Sequence, residues 1–66
     1  MEMSRNPKHS LTFDDAIEVW LCHWQGQYQH VIAAHFQTNQ GRINEILKGK
    51  RFPESRDAAL KLRAAA

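Results

Sequence analysis

Apolar residues recur along this chain at helical spacing, and nowhere do they alternate as a strand would. Phe13, Ile17, Trp20, Leu21 and Trp24 fall at i, i+4, i+7, i+8 and i+11, with Asp15, Glu18 and Cys22 on the opposite side. The spacing predicts an amphipathic first helix. Thr12 followed by Asp15 has the form of a capping box with Asp in place of the usual Glu. Asp14 and Asp15 also suit the positive end of the helix dipole. Gln25-Gly26 closes the helix, with Gly26 fitted to a left-handed residue just past its end.

A second helix is expected from residue 27 or 28 to 36, where Tyr28, Ile32 and Phe36 lie a turn apart and Val31 and His35 widen the apolar side. Ala33 and Ala34 are small enough for another helix to approach closely. Gln37-Thr38-Asn39 is a polar connection whose last residue is a good N-cap for a third helix over residues 40–48. That helix turns Ile43, Ile46 and Leu47 inward, ends at Gly49, and is blocked from continuing by Pro53. A last helix over residues 54–63 offers Ala58, Ala59, Leu60 and Leu62. The fold expected is all-α, a small domain of three to four helices over residues 11–66. Before it comes a flexible polar arm, residues 1–10, and after it a fraying Ala64–Ala66 tail.

Sixty-six residues make one domain with a modest core. The one cysteine rules out an intrachain disulfide and points to a reducing cytoplasm. The polar start is not that of a signal peptide, and no apolar run approaches a membrane span. Charge changes the picture more. Residues 1–36 sum to −2 and residues 37–66 to +4, so the positive half begins where the third helix begins. Such asymmetry suits a polyanionic partner.

Ile32-Ala33, Phe36, Ile43 and Ile46-Leu47 have a spacing that resembles the helix-turn-helix of bacterial and phage DNA-binding proteins. Ala33 matches that motif's small residue at the helix crossing and Phe36 its apolar residue before the turn. Ile43 and Ile46 match the residues that seat the recognition helix. With the first helix in front, the resemblance spans residues 13–51 and is similar to trihelical domains of the repressor, recombinase or sigma type. It implies a DNA-binding transcriptional regulator, cytoplasmic and nucleoid-associated. The motif commonly carries glycine at its turn, where this chain has Gln37. A left-handed non-glycine residue costs around 1 kcal/mol, so a turn of another type, or one residue longer, is expected here.

The third helix carries what groove reading needs, independently of that resemblance. Short or bidentate polar side chains stand on its first turns: Asn39, Gln40, Arg42, Asn44 and Glu45 are the candidate base-contacting residues. Gln40 and Asn44 match adenine, Arg42 guanine or a phosphate, and Glu45 cytosine or a neighbouring cation. Gly41 belongs with them, because a glycine in a helix costs about 0.8–1 kcal/mol and earns its place if the backbone approaches DNA closely. Lys48, Lys50, Arg51 and His30 are the candidate phosphate contacts, with Arg5 and Lys8 as a mobile arm.

Other chemistries fit less well. His23, His30, His35 and Cys22 lack C-x-x-C or H-x-x-x-H spacing, so no metal or other cofactor is expected. No nucleophile stands with a base, Asp14 and Asp15 are helix-start residues, and Glu18 raises rather than lowers the Cys22 thiol, so an enzyme is not expected. Trp20 and Trp24 read as core, and His35 as packed near the helix crossing. One recognition helix reads few base pairs, which favours a homodimer or a larger assembly, formed through Leu60 and Leu62 of the last helix in preference to the Val19–Cys22 side of the first. The alternative is a protein-interaction adaptor on the same scaffold, docking to RNA polymerase or another regulator with little specific DNA binding.

Overall fold

The computed structural model describes residues 11–65. The arm with Arg5 and Lys8, and Ala66 at the other end, lie outside the described residues. Four helices follow in order: α1 Phe13–Trp24, α2 Gln29–His35, α3 Gln40–Leu47 and α4 Ser55–Ala65. The protein is a small all-α domain, and no helix among the described residues is long and apolar enough to cross a membrane.

The helix ends follow the local chemistry of the chain. Thr12 and Asp15 form the full capping box, with Asp15 N donating to Thr12 Oγ1 at 3.1 Å and Thr12 N donating to the Asp15 carboxylate at 2.9 Å. Asn39 Oδ1 accepts from Arg42 N at 3.0 Å and caps α3. Helices α1, α2 and α3 each end in the same paired bond pattern, closed around a left-handed residue: Gly26 at φ 93°, Gln37 at φ 57° and Gly49 at φ 78°. At the middle one, Thr38 N donates to Ala33 O at 2.9 Å and Gln37 N to Ala34 O at 3.1 Å. The α2–α3 connection is therefore the left-handed turn that glycine normally serves. The expectation of another turn type is corrected: two backbone bonds and the burial of Phe36 just before it hold Gln37 in a conformation its side chain disfavours.

Packing departs from the periodicity on α1. Ala16 and Val19 are completely buried and Trp20 nearly so, while Phe13 keeps over a third of its surface exposed. The line Phe13, Trp20, Trp24 faces α4 and the segment leading into it. Phe13 meets Phe52 edge-on at 6.2 Å, Trp20 Nε1 donates to Ser55 Oγ at 3.1 Å, and the Arg63 guanidinium lies 4.7 Å from the Trp24 ring. Ala16 and Val19 lie further round the helix and join Ile32, Ala33, Phe36, Ile43 and Ile46 in one core. The stripe of large residues thus includes a line, Phe13, Trp20 and Trp24, that meets α4 and the segment before it, while Ile17 and Leu21 pack against the core.

Several expectations change as a result. The Val19–Cys22 side of α1 is not a free dimer surface, since Val19 is buried and Cys22 packs against the core. On α2, Tyr28, Val31 and His35 are exposed rather than core-forming, because seven residues turn little more than one face, Ile32 and Ala33, inward. His35 does not pack into the helix crossing. Its Nε2 lies 3.6 Å from the Glu18 carboxylate, and its ring meets Phe36 edge-on. Helix α4 buries Ala59 and Ser55, leaves Leu62 more than half exposed, and packs on α1 alone among the helices.

Two stability outcomes follow. Gln37→Gly relieves the left-handed strain, offset in part by a freer unfolded chain, and raises the unfolding free energy by about 0.5–1 kcal/mol in urea titrations. Ser55→Ala leaves the buried Trp20 indole N–H without an acceptor and lowers it by about 1–3 kcal/mol in the same assay.

Candidate nucleic-acid interface

Helix α3 is seated by Ile43 and Ile46, both completely buried, with Leu47 half-buried beside them. Eight residues give just over two turns, so seating that side presents Gly41, Asn44, Glu45 and Lys48 on the opposite one. Gln40 and Arg42 flank the presented face, one on each edge. The arrangement gathers five of the six residues expected to contact bases onto one helix surface and its margins, with Asn39 at the helix start. Gln40, Gly41, Arg42 and Lys48 are exposed, and Asn44 and Glu45 are half-buried at their bases.

Three of these residues have duties inside the protein. Asn39 spends its Oδ1 on the cap, which leaves its Nδ2 to meet a partner. A Cβ on Gly41 would stand 3.1 Å from that same Oδ1, so the glycine also spares the cap from crowding. The cap thus gives a reason for a glycine at this position that depends on no partner. Asn44 Nδ2 donates to Gln29 Oε1 on α2 at 3.5 Å, linking the two helices across their outer edge.

The expected phosphate contacts spread along two ends of this surface. Lys48 is the C-cap residue of α3, and Lys50 follows the left-handed Gly49, where its N donates to Glu45 O at 2.9 Å. Both side chains are exposed. Arg51 is half-buried, with its guanidinium 5.5 Å from the Phe52 ring and a buried Nε that has no hydrogen-bond partner. Phe52 is itself left-handed, φ 51°, and its contact with Phe13 holds the chain in that shape as it turns toward α4. His30 is exposed at the start of α2, stacked on Tyr28 with ring centroids 5.8 Å apart, and Tyr28 is 72% exposed.

The basic half of the chain divides in space. Arg42, Lys48, Lys50 and Arg51 belong to α3 and its exit, whereas Arg56, Lys61 and Arg63 ride on α4, which touches neither α2 nor α3. Arg56 and Arg63 lie over the Trp20 and Trp24 rings at 5.8 and 4.7 Å, so part of the C-terminal charge has a packing role on α1.

Gln29 and Ser55 are polar residues with contacts between helices that sequence reading passed over. Each acts through a partner on another helix, Asn44 and Trp20, and a contact of that kind leaves no trace in the period of either helix. Among the described residues no three His, Cys, Asp or Glu side chains come together as a metal site would require. No protein-family model matches the chain, nor does any curated protein or solved structure.

The Cys22 thiol is pushed above its ordinary value, first by burial against the core and then by the Glu18 carboxylate. The folded state therefore holds the thiol proton more tightly than the unfolded chain does. The stability this contributes is present below the ordinary thiol range and is lost as pH rises through the folded value. Iodoacetamide should label Cys22 more slowly in the native protein than in urea between about pH 8 and 9, with the gap closing as pH rises further.

Proposed function

We propose that the protein binds double-stranded DNA sequence-specifically, as a transcriptional regulator of the bacterial or phage kind, with α3 lying in the major groove. The observation that carries this reading is the outer surface of α3. It is given wholly to Gln40, Gly41, Arg42, Asn44, Glu45 and Lys48 while the inner side is anchored by Ile43 and Ile46. An α-helix fits the major groove, and amide, guanidinium and carboxylate side chains there match the donor and acceptor patterns of base edges. Lys48, Lys50 and Arg51 follow at one end to meet phosphates, and His30 stands at the start of the neighbouring helix. The left-handed residue Gln37 stands where the helix-turn-helix motif commonly carries glycine, which supports that reading.

A single helix of this length reads few base pairs, so useful specificity calls for a homodimer on a two-fold site. Of the two apolar surfaces considered for that contact, Leu62 on α4 is the one with substantial exposure. The adaptor reading draws on a different observation. Tyr28 and Val31 expose large apolar surface on α2, which suits a protein such as a polymerase subunit.

Selection of randomised duplexes by the purified protein at physiological salt separates the two. The regulator reading expects an enriched motif. Asn44→Ala or Gln40→Ala should then cost about 1–3 kcal/mol and relax preference at one position. Lys50→Ala should weaken binding evenly across sequences and lower the slope of log K against log salt by about 1. A pool with no enriched motif sinks the sequence-specific reading and leaves the adaptor.

A further inference from the structure

We propose that Gln29 is a positioning residue for base recognition: by accepting a hydrogen bond from Asn44 it orients that amide to read adenine and reject guanine. The inference rests on the duplex-DNA reading above and extends it to a residue on the neighbouring helix.

An asparagine on an open helix surface turns its amide freely between two orientations, which exchange the positions of donor and acceptor. Asn44 does not stand open. It lies on the edge of the α3 surface nearest α2, half-buried, and its Nδ2 donates to Gln29 Oε1 at 3.5 Å. The bond is long, so its value lies in choosing between the two orientations rather than in stability. With Nδ2 held on the α2 side, Oδ1 faces the other way. One Nδ2 hydrogen and Oδ1 then remain for a base.

That remaining pair is what adenine requires, since its N7 accepts and its N6 amino group donates. Guanine presents two acceptors in the same groove, N7 and O6, and O6 would meet Asn44 Oδ1 with no proton between them. Gln29 gives only its carbonyl to Asn44, and its own amide nitrogen stays available for a phosphate oxygen. A residue of α2 in this way joins backbone positioning to base choice.

The test repeats the duplex selection with the wild type, Asn44→Ala, Gln29→Ala, Gln29→Glu and the Gln29→Ala/Asn44→Ala double variant. Affinity for one fixed non-specific duplex and thermal unfolding by circular dichroism are measured alongside. The wild-type motif is expected to carry an adenine that Asn44→Ala erases. Gln29→Ala should reduce preference for that same adenine by up to about twofold, the factor lost when one of two amide orientations is no longer held, while affinity for the non-specific duplex stays unchanged. Gln29→Glu keeps the acceptor and so keeps the adenine, although its charge weakens binding to every duplex. The double variant should be no less selective than Asn44→Ala alone, as two residues acting through one contact require. A Gln29→Ala protein that loses affinity evenly with its motif unchanged overturns the inference, as does a loss at a position Asn44 does not read. A wild type that enriches no motif at all removes the duplex reading itself, and the inference with it.

Discussion

Helix α1 touches each of the other three helices, and the whole fold depends on its being buried from two directions. Helices of seven and eight residues are too short to hold together alone, so α2 and α3 depend on packing against each other and against α1. Ala16 and Val19 of α1 share one core with Ile32, Ala33, Ile43 and Ile46, all excluded completely or almost completely from water, and Ile17 and Leu21 pack against it. Trp20 fills the contact with α4, and its indole N–H is satisfied there by a serine that is itself entirely buried. A buried indole donor left without a partner would be costly, which gives this one hydrogen bond a weight beyond its length.

Covering α1 with α4 bears on the surface proposed to meet DNA. Because α4 packs on α1 alone, it leaves the outer side of α3 and the start of α2 open. The cations then separate into a group around α3 and a group that lies across tryptophan rings on the far helix. Net charge by sequence half overstates what a polyanion lying on α3 would meet, since Arg56 and Arg63 are engaged on α1 and Lys61 rides on the same helix. The group that remains, Arg42, Lys48, Lys50 and Arg51, lies on α3 and its exit, with Glu45 the one acidic residue between positions 42 and 51.

The surface of α3 is shaped by contacts that are local but not its own. Asn39 caps the helix, Gly41 leaves room for that cap, and Gln29 reaches across to Asn44. Two residues bear the conformational cost of bringing these elements into register, Gln37 before α3 and Phe52 after it, both left-handed without being glycine. Each is held by what surrounds it. Two backbone bonds hold the first, and an aromatic contact with Phe13 holds the second. Side chains that must present polar atoms in a fixed order gain from such support, because less freedom is lost when a partner arrives.

The sequence by itself determined the order of the helices, the N-caps of α1 and α3, and the glycine stops of those two helices. It also determined which side of α3 is anchored and hence which side is presented. Those features depend on residues within a turn of one another: Thr12 with Asp15, Asn39 with Arg42, the glycines at 26 and 49, and the Ile43–Ile46 pair. What only the tertiary structure decided is which helix each apolar side meets. Periodicity marks a side as apolar but does not say what covers it, so large residues were legible on α1 while Ala16 and Val19, on the side completed by distant helices, were not. The same reason hid Ser55 and Gln29. The partner that gives each its role lies 35 and 15 residues away, and folding alone brings them within reach.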